Sequence, residues 1–348
     1  MNLDDLKYIH QLDNSGALQI ASHVADQLRQ KFAPLALPAH IQNIVYAAMG
    51  GSALAARLSQ SWPRYKVPFE IVTDYHLPAY VGPNTLVITA SYSGNTEETI
   101  SAYHEAKQKG AEVAVIASGG ALQALAEADG TPMVLLPNTV QPRFAVLSCF
   151  KALIDILESA GLVDAEKMDP ELESAADYLD ISCKDWLVDV PTSKNPAKQL
   201  AIELAGTSPV IYAGSVLFPA AYKWKINFNE NAKNVAWCNS YPEFCHNEFI
   251  GWSSHPVEKS YSVVDLRSSF DNERVIKRFE IVDKLLSGKR PAAHVVQAQG
   301  VTLVQQLLWT VVFGDFVSLY VALLNGLDPT PVDLVEKLKI ELNNEATR

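Results

Sequence analysis

Basic residues are in short supply. The 28 lysines and arginines are outnumbered by 39 aspartates and glutamates, a formal net charge of −11 at pH 7. That balance argues against a broad nucleic-acid-binding face and leaves any anionic ligand to be held by individually placed groups. Cysteine is scarcer still: four in 348 residues make no disulfide framework. Cys238 and Cys245, followed by His246, hint at metal ligation, but no CxxC spacing or second His/Cys cluster completes a site, so no metal is expected. An apolar leader is missing too. The first residues, MNLDDLKYIH, are acidic with no signal-peptide core, and the longest apolar run, VTLVQQLLWTVVFGDFVSLYVALLNGL, carries Gln305, Gln306 and Asp315 inside it. That pattern fits a core helix rather than a membrane span, and a cytoplasmic protein is expected.

What the chain does have is alternation. After the amphipathic ALQIASHVADQLRQ come the strand NIVYAAM, the helix SALAARLSQSW, the strands PFEIVTD and NTLVITAS, the helix EETISAYHEAKQKG, the strand EVAVIAS, the helix ALQALAEA and the strand PMVLLP. Near-continuous apolar strands between helices predict a parallel sheet covered on both faces. Helical patterns take over from about residue 142, DWLVDVPTSKNPAKQ has linker character, and the alternation then restarts from AKQLAIELAG through SPVIYAGS, NVAWCNS, YSVVDLRSS and AHVVQAQ to a long helical end. The expectation is an α/β protein of two doubly wound domains. Residues 1–160 hold an N-terminal helix and the first domain, 161–195 a linker region, and 196–348 the second domain with C-terminal helices. The two halves show no visible sequence repeat.

Two strand-to-helix turns in the first half are rich in glycine and small hydroxyl residues: Gly50-Gly51-Ser52, and Ser91-Tyr92-Ser93-Gly94-Asn95-Thr96. In an open α/β sheet ligands collect beyond the carboxyl ends of the strands, where helix N-termini present free N–H groups and a positive dipole end to an anion. Taken singly, each turn reads equally well as an ordinary helix cap. Neither is a GxGxxG fingerprint or a GxxxxGK[ST] loop, which disfavours a dinucleotide or a nucleoside triphosphate. Together in one sheet they point to a phosphate group.

SYSGNTEET after a strand, with GGS upstream, resembles the phosphosugar-binding SIS domain of sugar isomerases. NENAK (Asn229 to Lys233) and PEFCHNE (Pro242 to Glu248) are similar to a narrower group within it, the bifunctional phosphoglucose/phosphomannose isomerases. The likeness runs from near residue 45 to PTPVDLVEKLKIEL. It implies two SIS-like domains and interconversion of glucose 6-phosphate or mannose 6-phosphate with fructose 6-phosphate through an enediol, without a cofactor. It also implies phosphate contacts at Gly51, Ser52, Ser91, Ser93 and Thr96. Glu230 matches the family's base and His246 the histidine that assists ring opening, reaching the partner subunit's site in relatives. Arg143 matches an arginine near the reacting carbons, where a guanidinium offsets the charge of an enediolate. Lys339, with Lys337 two residues away, is the counterpart of a lysine at the sugar ring oxygen.

A homodimer with composite sites, acting on a hexose 6-phosphate and on neither nucleic acid nor membrane, follows from the same likeness. Tyr222, Trp224, Phe228, Cys238 and Cys245 depart from the usual residues beside the base and the histidine and bear on substrate preference. Room for the C2 epimer falls to Thr330 and its neighbours. Two alternatives stay open: a non-catalytic sugar-phosphate sensor, and an isomerase of another phosphosugar.

Overall fold

The computed structural model of the chain describes residues 2–38, 40–63, 65–254 and 260–346. The first half runs α1 (Leu6–Leu12), α2 (Ala17–Ser22), β1 (Asn43–Ala48), α3 (Gly50–Ser61), β2 (Phe69–Val72), β3 (Thr85–Ser91), α4 (Glu97–Gln108), β4 (Glu112–Ala117), α5 (Gly120–Asp129), β5 (Met133–Leu135) and α6 (Val146–Ser159). Its five strands are ordered β2-β1-β3-β4-β5, every pair parallel. After α7 (Ala165–Cys183) the second half runs α8 (Pro196–Leu204), β6 (Ser208–Ala213), α9 (Phe218–Glu230), β7 (Trp237–Ser240), α10 (Glu248–Gly251), β8 (Tyr261–Arg267), α11 (Glu273–Leu285), β9 (Ala293–Gln297), α12 (Leu303–Leu324) and α13 (Asp333–Ala346). Its four strands are ordered β7-β6-β8-β9, again all parallel.

The apolar runs become strands because both faces are covered: β3 is buried along its whole length. One core runs from Ile44, Leu86 and Ile116 of the first sheet through α3, α6 and α9 to Ile211, Val264 and α12 of the second. Helices α4 and α5 close the outer face of the first sheet over Val45, Val87 and Val115, and α11 that of the second over Val210, Tyr212 and Val263. This gives each sheet its two helical layers and joins the sheets through helices rather than through strands.

Helix α12 is apolar on all sides because it is buried on all sides; by length and composition it would suffice to cross a membrane, yet almost all of it lies inside the protein. Its polar residues are all accounted for. Gln305 closes a capping box with Thr302, Gln306 bonds the Ser268-Ser269 turn, and Asp315 pairs with Lys223 and Asn227.

The 161–195 stretch, expected as a linker, contains α7, whose buried Met168, Leu172, Ala175, Ala176 and Leu179 form a helical stripe against the core. ALQIASHVADQLRQ is not one helix: α2 gives way to a 3-10 turn at Val24–Gln27. The side chain of Gln27 there donates to the Phe144 carbonyl at 2.6 Å and accepts from the Ser148 N–H at 2.9 Å. A tertiary contact has overridden the local periodicity.

Candidate active site

The two serine-bearing turns meet at the carboxyl ends of β1 and β3, which pair in register up to Ala48 opposite Ala90. The Tyr92 N–H donates to Ser52 Oγ at 3.0 Å, tying one turn to the other, and Tyr46 donates its hydroxyl to the Ser52 carbonyl at 3.2 Å. Ser91 Oγ and Thr96 Oγ1 share a hydrogen bond of 2.8 Å, and the Gly94 N–H lies 3.1 Å from Ser91 Oγ. Ser93 is exposed. Gly94 has φ +69, and a Cβ there would sit 1.8 Å from the Gly119 carbonyl oxygen. Only glycine lets the β4–α5 turn close against this one.

Neither turn behaves as a side-chain cap. The residue before α3 is Met49, which has no capping bond, and the Thr96 side chain does not cap α4. The first N–H groups of a helix have no partner within it, so both helices point uncapped N-termini at the same crevice. Ser52 uses its oxygen to accept from Tyr92 and keeps its hydroxyl hydrogen for another acceptor. Backbone donors, hydroxyls and two dipole ends together suit a phosphate dianion.

A Cβ on Gly51 would lie 3.2 Å from the Pro142 carbonyl oxygen and 3.3 Å from the Arg143 nitrogen, so the α3 turn rests directly on the backbone that carries Arg143. The Arg143 side chain, 2% exposed, turns inward. Its Nε donates to Asn231 Oδ1 at 2.7 Å, and Nη2 donates to the carbonyls of Pro329 at 2.9 Å and Thr330 at 2.7 Å. Nη1 stands 3.8 Å from Glu230 Oε2. Burial pulls the guanidinium below its ordinary pKa, an effect that Glu230, Asp315 and Asp328 counter; an arginine stays charged throughout. Glu230, at the last position of α9, keeps 34% of its side chain exposed, so it faces a fixed cation on one side and solvent on the other.

Two residues of the NENAK stretch matter that sequence reading did not single out. Asn231 is fully buried, and because its Nδ2 donates to Ser318 Oγ at 2.9 Å, its Oδ1 must face Arg143. Lys233, at φ 51, donates to the carbonyls of Asn231 at 3.1 Å, Asp328 at 2.8 Å and Pro329 at 3.1 Å. With Arg143 it clamps the segment between α12 and α13. Only their place in the motif could have drawn attention to them.

The other two candidates stand apart. His246 is exposed on a 3-10 turn after β7 and has no hydrogen bond or ion pair among the described residues. Lys339 is exposed on α13 and pairs with Glu336 at 2.8 Å. Within one chain neither touches Arg143 or Glu230. The unusual aromatics split. Trp224 and Phe228 are core residues, the indole N–H donating to the Thr310 carbonyl at 2.8 Å. Tyr222 instead lies under the Arg57 guanidinium, 4.4 Å from ring centre to charge. Cys238 and Cys245 are free thiols, raised above their ordinary pKa by burial.

Residues 193–342 match the family described as bacterial phospho-glucose isomerase C-terminal SIS domain. The chain is 36% identical to a bifunctional phosphoglucose/phosphomannose isomerase of Caldicellulosiruptor bescii over 87% of its length and 90% of the relative's. It is 30% identical to a protein of the same description from Aquifex aeolicus, over 88% and 92% of the two chains. Its fold is shared with a glucose-6-phosphate isomerase like protein from Thermus thermophilus, at TM-score 0.65 and 18% identity, over 97% of this chain and 98% of that one.

Proposed function

The chain belongs to the bifunctional phosphoglucose/phosphomannose isomerases, and from that membership together with the site geometry we propose that it interconverts glucose 6-phosphate and mannose 6-phosphate with fructose 6-phosphate as a cytoplasmic homodimer. The observation that carries this reading is the placement of Arg143. Its backbone lies against the Gly51 turn and its guanidinium is 3.8 Å from Glu230, so one residue joins the phosphate end of the crevice to the proton-transfer end.

The phosphate ester takes the uncapped N-termini of α3 and α4 with the hydroxyls of Ser52, Ser91, Ser93 and Thr96. Once the ring is open, Glu230 removes the proton from C2 of the aldose. The C–H electron pair becomes the C1=C2 bond of an enediol, and the carbonyl π pair moves onto O1. Arg143 offsets that negative charge, the O2–H proton passes to O1, and as Glu230 returns its proton to C1 through the C1=C2 pair the O2 lone pair closes the C2=O bond of the ketose. A carboxylate 3.8 Å from a fixed guanidinium and open to solvent on its other side suits this shuttle, which needs no cofactor. Ring opening falls to His246 of the partner subunit and contact with the ring oxygen to Lys339. This is consistent with both lying away from Glu230 in a single chain and with the exposed apolar residues of α13, Leu334, Leu338 and Leu342 among them.

The test is fructose 6-phosphate in deuterated water with the purified protein and its Glu230→Gln variant. Glucose 6-phosphate and mannose 6-phosphate carrying deuterium at C2, formed by the parent alone, are the expected products. Binding without exchange in the parent would leave a sensor or another phosphosugar as the answer.

A further inference from the structure

The two sheets place the same kind of turn side by side twice. In the first half β1 leads into Gly50-Gly51-Ser52 beside the serine turn that follows β3. In the second, β6 leads into Gly214-Ser215 beside Ser268-Ser269, which follows β8, and the pairing runs in register to Ala213 opposite Leu266. The strand orders β2-β1-β3-β4 and β7-β6-β8-β9 give the two crevices the same place in their sheets. What fills them differs. In the first turn a Cβ on Gly50, two residues past β1, would meet nothing within 4 Å, whereas one on Gly214, the residue directly after β6, would meet the carboxylate of Asp271, with Oδ1 at 2.2 Å, Cγ at 2.4 Å and Oδ2 at 2.5 Å.

Asp271 is only 7% exposed. Its acceptor contacts are the N–H of Ser268, 3.4 Å from Oδ2, and the N–H of Val216 in the turn that enters α9. Its Oδ1 is buried with no partner. No cation pairs with it among the described residues, and α9, thirteen residues long, has no side-chain cap. Burial raises the carboxyl to about 6. The carboxylate thus sits where an anion would, against the backbone N–H groups of the two strand-end turns, with one oxygen still lacking a donor. The serines of this crevice are engaged as well. Ser268 donates its hydroxyl to Gln306 Oε1 at 2.7 Å, and Gln306 Nε2 donates to Ser269 Oγ at 2.8 Å.

The geometry points to a second anion cradle at the β6 and β8 ends, filled by the chain's own Asp271 carboxylate in the place a phosphate group would take. The chemical class it excludes is the phosphate monoester or free phosphate, and removing the side chain opens the cradle to that class.

Inorganic phosphate is the probe, counted per chain by titration calorimetry and followed by phosphorus NMR, on the intact protein and two variants. Asp271→Gly is expected to bind one phosphate more per chain than the parent. Asp271→Asn, which keeps the crevice filled, is expected to bind the same number as the parent. If the glycine variant does not fold, as read by its near-ultraviolet circular dichroism, Asp271→Ser takes its place with the same expectation. A folded Gly or Ser variant with no added phosphate overturns the proposal, and so does an Asn variant that gains the site as fully as Gly. The count separates this from the function proposed above: if the first half held no phosphate, the parent and the glycine variant would read zero and one instead of one and two.

Discussion

Asn231 offers the sharpest test of how Arg143 is aimed. Among the described residues its Oδ1 is the one acceptor for Arg143 Nε, at 2.7 Å, and Nη2 is separately held by the Pro329 and Thr330 carbonyls. Asn231→Ala removes one charge-assisted hydrogen bond together with the Nδ2 bond to Ser318 Oγ, and leaves a guanidinium N–H in a site only 2% exposed. A hydrogen bond to a charged group contributes about 1.5–3 kcal/mol, and a stranded buried donor costs a further ~1 kcal/mol or more. With about 0.5–1.5 kcal/mol more for the lost Ser318 bond, stability should therefore fall by roughly 3–5 kcal/mol. The two remaining bonds share one nitrogen, so the plane of the guanidinium is free to rotate about them and Nη1 leaves its place opposite Glu230. A misplaced charge stabiliser costs on the order of 10- to 100-fold in kcat, whereas KM should stay near the parent value because the serine turns proposed to hold the phosphate are untouched. Asn231→Asp keeps the acceptor but sets a carboxylate on Arg143, so it should recover stability more than kcat. Urea unfolding and a coupled assay of fructose 6-phosphate turnover read the two effects separately. A variant that loses the expected stability yet keeps kcat within twofold would refute the reasoning, since the carbonyls alone would then aim Arg143 or its aim would not matter.

Ser93→Ala removes an exposed hydroxyl from a turn proposed to hold the phosphate and should raise KM about 5- to 10-fold, the loss of roughly 1 kcal/mol of hydrogen bonding, with kcat little changed in steady-state assays. Gly314→Ala places a Cβ 2.0 Å from Trp224 Nε1 and displaces an indole that bonds Thr310; overpacking and the lost bond together should cost about 2–5 kcal/mol in urea unfolding. Glu158 is raised to about 7 by burial and by the neighbouring Asp169 and Asp155, whose carboxylates share the Lys151 ammonium. Its folded-state value lies above the ordinary 4.5, so the fold binds its proton more tightly than the unfolded chain and stability falls as pH rises from about 4.5 to 7. Glu158→Gln should melt with the parent at pH 4 and above it at pH 8, and equal melting temperatures at both would show that Glu158 is solvated.

The alternation, the parallel sheets and the two serine turns were legible because each is written in short-range pattern: apolar runs that become doubly covered strands, and glycine with hydroxyl residues where a strand turns into a helix. Arg143 and Glu230 were singled out through the family resemblance of the motifs around them, and the structure places the two side chains 3.8 Å apart. Less visible was α7, where the stripe Met168, Leu172, Ala175, Ala176 and Leu179 is interrupted by charge and by Pro170. The apolar run of α12 gave a core helix but not what its polar residues bind.

What the sequence determined by itself was therefore the set of elements and the residue types at their junctions, because periods of two and 3.6 and the φ and ψ limits of glycine act within a few residues. What only the tertiary structure decided was which junctions meet. Arg143 finds its acceptors at Asn231 and in the Pro329-Thr330 segment, and Asp271 closes on Gly214, through contacts between residues far apart in the chain. A buried guanidinium or carboxylate takes whatever partner the packed elements bring within hydrogen-bond reach, and that choice follows from how α9 and α12 seat on the sheets, information that no local window of sequence contains.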